Sequence, residues 1–180
     1  MKGIFNNFLL GGMIMSKEIN NLVLSAMAGN KDAYGDLYEF YATDMYRFAL
    51  AICKNTYDAQ DAVQETAISV FKSISSVRNP EKFKSYLFAS LSNTCKRILS
   101  KNNNTNEFED TGYTDSEIEF SIPVREALEK LDDVSKEIIL LSVVAGFKSH
   151  EIGRIIDLPS ATVRTKQKRA LSKLREELEL

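Results

Sequence analysis

Between Ala33 and Ile52 the apolar positions Ala33, Tyr34, Leu37, Tyr38, Tyr41, Met45, Phe48, Ala49 and Ile52 recur at steps of three and four, the mark of a long helix that buries one stripe. The pattern starts at Asn30. A second helix is predicted from about Asp58, whose side chain suits a cap. It carries Ala59, Ala62, Val63, Thr66, Ala67, Val70, Phe71 and Ile74 on one side and Asp61, Gln64 and Glu65 on the other. After the polar stretch 75–81, which holds Pro80, a third pattern runs through Phe83, Leu87, Leu91, Thr94, Cys95 and Ile98. With a short helix around 22–27, these segments predict a small all-helical domain over residues 16–100.

Periodicity then fails. Residues 101–122 open on Asn102-Asn103-Asn104 and turn acidic, with 10 acids against 2 bases between Thr105 and Asp133. Such a composition buries too little apolar surface to order itself and predicts a flexible acidic linker. Pro123 punctuates the start of a second domain over residues 123–180. Four short helices are predicted there, over 124–131, 136–145, 150–156 and 161–178. Ser149 and Ser160 are the candidate caps of the last two, and Asp157-Leu158-Pro159 separates them, because a proline biases the residue before it out of the helical region. Two helices joined by three residues, with Ile152, Ile155, Leu158 and Val163 to pack the angle, describe a helix-turn-helix.

The amino terminus is read apart. The apolar stretch within residues 1–15 is interrupted by Gly11-Gly12, lacks a small-residue exit and is too short to span a membrane. It reads either as a tail or as a misassigned start, Gly11-Gly12 being a purine-rich ribosome-binding site translated ahead of Met13 and Met15. No membrane insertion is expected.

Charge changes the picture only locally. The net charge is -2, so any charge-driven partner must be met by a patch. That patch lies between Gly146 and Arg175, with 8 bases against 2 acids. On the final helix Val163, Ala170, Leu171, Leu174 and Leu178 form the expected buried stripe, leaving Ala161, Thr162, Arg164, Thr165, Lys168 and Arg169 outward at its beginning. The first turns of such a helix reach base edges, Arg and Lys taking guanine or phosphate and Thr a thymine methyl. The plain alternative is a solvated surface helix.

The remaining chemistry is sparse. Cys53 and Cys95 sit in apolar patterns with no metal-ligand spacing, and His150 is the single histidine, so no metal site and no cofactor are expected. No phosphate loop, nucleophile elbow or zinc-protease motif occurs, which points away from an enzyme. Thiols without secretory features suit the cytoplasm. The face of Asp58, Asp61, Gln64 and Glu65 is either wet or a docking surface for a basic or coiled-coil partner. Residues 78–97 mix Arg78, Lys82, Lys84, Lys96 and Arg97 with Phe83, Tyr86 and Phe88. Bases for the backbone and rings for unstacked bases are what single-stranded nucleic acid requires. Phe83 and Leu87 belong to the buried stripe, so Tyr86 and the lysines are the exposed candidates.

Three stretches, taken in order, resemble the bacterial sigma-70 family and its minimal extracytoplasmic-function group. They are Asp58 through Thr66 with Val70-Phe71, then Phe83 through Phe88, then Gly146 through Glu151-Ile152 and Thr162-Val163 to Arg169-Ala170-Leu171 and Leu174-Arg175. The resemblance covers about residues 25–178. It implies an all-α chain of two small helical domains, sigma region 2-like and region 4-like, joined by the acidic linker. It further implies an alternative sigma factor that binds core RNA polymerase and directs it to promoter DNA. By that analogy Asp58, Asp61, Gln64 and Glu65 face the clamp helices of the beta-prime subunit. Arg78, Lys82, Lys84, Tyr86, Lys96 and Arg97 serve the minus-ten element and its melted strand. Ser160, Thr162, Arg164, Thr165, Lys168 and Arg169 serve the minus-thirty-five element. The beta flap and an anti-sigma factor are the further partners the resemblance implies. The competing reading is a helix-turn-helix regulator that never acts as a sigma subunit.

Four features depart from the family pattern. Tyr86 stands where many members carry Trp, and Ser92-Asn93-Thr94-Cys95 replaces a denser basic run. Pro159 precedes Ser160. Gly153 stands where Ala is usual, at a cost of about 1 kcal/mol in an exposed helix interior unless close packing demands it.

Overall fold

The computed structural model describes residues 11–102 and 121–179. Eight α-helices lie among them: α1 (Gly11–Met27), α2 (Lys31–Cys53), α3 (Thr56–Ser73), α4 (Phe83–Asn102), α5 (Ile122–Glu129), α6 (Asp133–Val143), α7 (Ser149–Ile155) and α8 (Ser160–Glu177). Two 3₁₀ turns, Ile74–Ser76 and Pro80–Lys82, connect α3 to α4. No strand occurs among the described residues. The all-α reading therefore holds. The backbone is helical from Gly11, within the stretch read as a tail or a misassigned start, and residues 1–10 fall outside the described part. Most of the acidic linker, 103–120, also falls outside it.

Local chemistry sets the helix ends. Asn30 caps α2 by accepting from the Asp32 and Ala33 amides at 3.0 and 3.1 Å. The helix closes on Lys54, whose backbone is left-handed at φ 60° and whose N–H returns to the Leu50 carbonyl. Asn55, the next residue, caps α3 through the Tyr57 and Asp58 amides at 2.8 and 3.1 Å. The cap expected at Asp58 is thus provided three residues earlier, and Asp58 lies in the first turn, where a carboxylate suits the helix dipole. Asp132 caps α6 through the Ser135 amide at 3.0 Å. Hydrogen bonds from Ser135 hold the Asp132 carboxyl below its usual range, so this contribution is present above about pH 4 and fades as acid protonates it.

One continuous core runs through the molecule. Leu37, Met45, Phe48, Val70, Phe83, Phe88 and Leu91 fill its first part, and Ile138, Leu140, Leu141, Ile152 and Val163 its second. Most of the predicted stripes of α2 and α3 are buried, Ala33, Leu37, Tyr41, Met45, Phe48 and Ala49 on the first and Ala59, Ala62, Val63, Thr66 and Val70 on the second. Phe71 instead lies toward the surface with its ring 5.0 Å from Tyr34, and Leu171 is exposed rather than part of the stripe of α8. Cys53 and Cys95 are buried and unpaired by disulfide. They are also neighbours: contact with Cys53, followed by burial, pushes the Cys95 thiol far up, which keeps it protonated and inert.

In the carboxy-terminal half, α7 and α8 form the expected helix-turn-helix. Ser149 and Ser160 are the first residues of their helices, not the caps. At α7 the Glu151 carboxylate accepts the Lys148 N–H at 2.8 Å, and Ser149 instead donates to Gln167 at 3.2 Å. Gln167 also donates to Ser142 at 2.7 Å, bracing α8 against α6. Asp157 turns the chain in the left-handed region at φ 56°, and the Leu158 N–H donates to the Gly153 carbonyl at 2.8 Å. A Cβ on Gly153 would fall far inside contact distance of the Leu158 carbonyl oxygen. Close packing therefore explains this glycine.

Gly35, in the second turn of α2, has open space around its missing Cβ. In urea unfolding followed by circular dichroism, Gly153→Ala should lose about 1–3 kcal/mol by overpacking against backbone. Gly35→Ala should gain up to about 1 kcal/mol from helix propensity. Equal effects at the two sites would contradict the packing argument.

Candidate nucleic-acid and polymerase interface

The turn between α7 and α8 fixes the angle at which α8 leaves the body of the protein. Val163 and Ala170 anchor that helix in the core, and Ser160, Arg164, Thr165, Lys168 and Arg169 are exposed. Thr162 is half-buried, a partial exception to its predicted outward position. The Thr165 hydroxyl donates back to the Ala161 carbonyl at 3.1 Å. Arg164, Lys168 and Arg175 share a shallow groove with Gln167, Leu171 and Ser172. Sequence reading missed these last three and Arg175 as groove residues. The i, i+4, i+7 and i+11 spacing from Arg164 was the available signal.

On α3, Asp61, Gln64 and Glu65 are exposed at helical spacing and Asp58 is half-buried at the helix start. Tyr57 and Ile68 extend this face with exposed apolar surface. Beside it lies a groove of about 250 Å³ between α2 and α3, lined by Tyr38, Ala42, Thr43 and Tyr46 with Gln60, Val63 and Gln64. The sequence reading placed Tyr38 in the buried stripe; its position on the groove was hidden by the same i, i+4 spacing that buries its neighbours.

The basic-aromatic segment divides. Arg78 and Lys82 are exposed at the 3₁₀ turns, where Asn79 caps the second by accepting the Glu81 N–H at 2.9 Å. Tyr86 is exposed, its hydroxyl held 2.7 Å from that of Ser73. Phe88 is fully buried, with rings of Phe48 and Phe147 at 5.9 and 5.6 Å. Arg97 pairs with Glu65 of α3, so a predicted strand contact and a predicted docking residue adjoin. Lys96 pairs with Glu137 of α6 at 2.8 Å.

Lys84 is half-buried, its ammonium 5.9 Å from the Tyr41 ring and 5.2 Å from the Phe147 ring. Burial lowers its pKa, and Asp44 and Glu151 oppose that shift. Burial likewise raises Asp44, against the pull of Lys84 and Arg47, and together with Asp44 it raises the Tyr41 hydroxyl to about 12. Among the described residues no group of His, Cys, Asp and Glu could hold a metal ion, and no helix is long and apolar enough to cross a membrane.

Comparison with known proteins identifies the family. Residues 37–105 match the family model for Sigma-70 region 2, and residues 121–174 match that for Sigma-70, region 4. The chain is 34% identical to the RNA polymerase sigma factor SigV of Bacillus subtilis, over 75% of this chain and 84% of that protein. It is 24% identical to the ECF RNA polymerase sigma factor SigW of the same organism, over 91% and 98% of the two chains. Among solved structures, CnrH in complex with the cytosolic domain of CnrY shares the fold with a TM-score of 0.69 at 21% identity, covering 89% of this chain and 97% of that one. RpoE of Bartonella quintana, in complex with the anti-sigma factor NepR, gives 0.63 at 19% identity, covering 93% and 98%. The chain belongs to the sigma-70 family, in its extracytoplasmic-function group, and is an alternative sigma factor that directs promoter-specific transcription.

Proposed function

We propose a division of labour among the surfaces of this sigma factor. Residues 16–100 act as the domain for core polymerase and the minus-ten element, 101–122 as linker, and 123–180 as the minus-thirty-five domain. Asp58, Asp61, Gln64 and Glu65 on α3 receive the clamp helices of the beta-prime subunit, an acidic face for a coiled-coil partner. Arg78, Lys82, Lys84, Tyr86, Lys96 and Arg97 hold the minus-ten strand. Ser160, Thr162, Arg164, Thr165, Lys168 and Arg169 read the minus-thirty-five duplex, with the beta flap steadying that domain. The observation that carries this reading is the pairing in one chain of an exposed acidic α3 with an exposed basic α8, each within the segment matching its own sigma region.

Melting duplex DNA costs a few kcal/mol per unstacked base, and capture of exposed bases on aromatic and basic side chains offsets it. Such a subunit needs no catalytic group and no cofactor, because RNA synthesis resides in the polymerase. It acts in the cytoplasm, where polymerase and promoter are. An anti-sigma factor is the regulatory partner we assign to it, on the model of the complex that its structural relative RpoE forms with NepR.

Two outcomes follow. Reversal of Asp61 and Glu65 to Lys should lower affinity for purified core polymerase at least a hundredfold, measured by fluorescence anisotropy, while the helical circular dichroism spectrum stays unchanged. The triple variant T162A/R164A/K168A should keep core binding but lose promoter selectivity, and its log-log salt slope on promoter DNA should fall by about 2, one for each lost phosphate-competent charge. Unchanged selectivity in the triple variant would remove α8 as the reading helix.

A further inference from the structure

Within the amino-terminal helix group, α1–α4, the end of α3 is held by a tyrosine from each side. Tyr34 of α2 donates its hydroxyl to the Ala67 carbonyl at 2.6 Å, and Tyr86 of α4 reaches the Ser73 hydroxyl at 2.7 Å. The second contact has a direction. The Ser73 hydroxyl lies 2.8 Å from the Ser69 carbonyl one turn earlier, and a carbonyl can only accept. Ser73 carries a single hydroxyl proton, and that carbonyl engages it, so the Tyr86 phenol is the donor to Ser73. A short relay therefore runs from Tyr86 through Ser73 to the backbone of α3.

The relay lies at the surface assigned to the minus-ten strand. Leu87 and Phe88, which follow Tyr86, are buried, whereas Tyr86 keeps 37% of its surface in water. Between Ser73 and Tyr86 the chain makes its two 3₁₀ turns and carries the exposed Arg78 and Lys82, so the hydroxyl pair closes the base of the basic segment. Ser76 fastens the same segment by donating to the Ser73 carbonyl at 2.6 Å. Ser73 itself is half-buried. A tyrosine ring turns about two side-chain bonds, and stacking on an unpaired base requires one orientation of it. Fixing that orientation beforehand removes an ordering cost from the capture step, a factor of about two to ten in affinity for one side chain.

We propose that Ser73 is a positioning residue for strand capture: by accepting the Tyr86 phenol while donating to the Ser69 carbonyl, it holds the Tyr86 ring ready to stack on an unpaired base of the minus-ten strand. This role rests on the assignment of Tyr86 made above. Ser73 acts through the ring and needs no contact with DNA. Its backbone, at φ -113° and ψ 0°, is open to alanine, so the hydroxyl can be removed with the end of α3 left in place.

The test measures binding of the holoenzyme, assembled from the full chain and core polymerase, to a fork-junction DNA with an unpaired minus-ten strand. The probe is taken from a promoter that the unaltered holoenzyme transcribes, and binding is read by fluorescence anisotropy. Ser73→Ala and Tyr86→Phe remove the two ends of one bond and should each weaken binding about fivefold. The double variant should also stay at about fivefold, because both changes break a single interaction. Ser73→Thr, which keeps the hydroxyl, and Ser69→Ala, which keeps the accepting carbonyl, should bind like the unaltered chain. All variants should share its melting temperature and its affinity for core polymerase.

A double variant weakened about 25-fold, the product expected of independent effects, overturns the proposal. So does a Ser73→Ala chain that captures the strand normally, or a Ser73→Thr chain as weak as Ser73→Ala. A Ser73→Ala chain that melts earlier and binds core polymerase more weakly overturns it too, since the hydroxyl would then serve the fold. Tyr86→Ala separates this role from the assignment beneath it. Lost capture in Tyr86→Ala beside normal capture in Ser73→Ala counts against Ser73 alone. Normal capture in Tyr86→Ala removes Tyr86 from the minus-ten surface, and the positioning role falls with it.

Discussion

The arrangement of the whole chain turns on the carboxylate of Glu137. A buried carboxylate is tolerated only where it is paired and hydrogen-bonded, and the two partners of Glu137 come from another helix, Ser92 lying 45 residues and Lys96 41 residues earlier. Burial of α6 in this position therefore requires α4 beside it. The neighbouring Lys136, equally buried, is satisfied by Glu129 at 2.8 Å. Desolvation pushes the Glu129 carboxyl up, but hydrogen bonds from Lys136 and Lys54 outweigh it and hold it low. Around these charges Phe48, Phe88 and Phe147 stack edge to face, joining the cores of the two helix groups into one. Polar pairing fixes the register and aromatic packing excludes water from it.

Much of this was legible in the residues. The stripes from Ala33 to Ala49 and from Ala59 to Val70 follow from periodicity alone, and the helix-turn-helix follows from Pro159 and the apolar residues around it. Most helix ends were read within a few residues, but α1, expected as a short helix around 22–27, begins at Gly11. The misses share a cause: the information sits in a partner distant along the chain. Nothing near Phe88 announces that Phe147 will cover it. Cys53 and Cys95 were correctly read as buried, yet their adjacency depends on how α2 crosses α4. The close packing that justifies Gly153 comes from the Leu158 carbonyl above it, which no local pattern marks. Asn55 was overlooked as a cap because Asp58 offers the same chemistry three residues later, and only the left-handed turn at Lys54 decides between them.

The candidate surfaces were legible to a different degree. Charge and spacing identified the outward residues of α3 and the beginning of α8, since a helix face is a local property. The groove formed by Tyr38, Ala42 and Tyr46 with α3 is a property of two helices and left no separate trace in the sequence. The same holds for the pairing of Glu65 with Arg97. A sigma subunit nevertheless tolerates such plain chemistry. It positions charge and aromatic surface for a polymer that carries both, and it leaves bond making to the enzyme it joins. Its specificity then depends on where rigid helices hold a few side chains, and the tight α7–α8 turn and the brace of Gln167 are devices for that purpose.

The central claim is that this chain confers promoter-specific initiation on an enzyme that lacks it. Its most direct test is transcription reconstituted from the purified chain and sigma-free bacterial core polymerase on genomic promoter fragments, including the one upstream of its own gene. Defined transcripts that appear only when both components are present are the predicted result. A chain that shifts duplex DNA by itself yet yields no defined transcript with its cognate core polymerase would contradict the account.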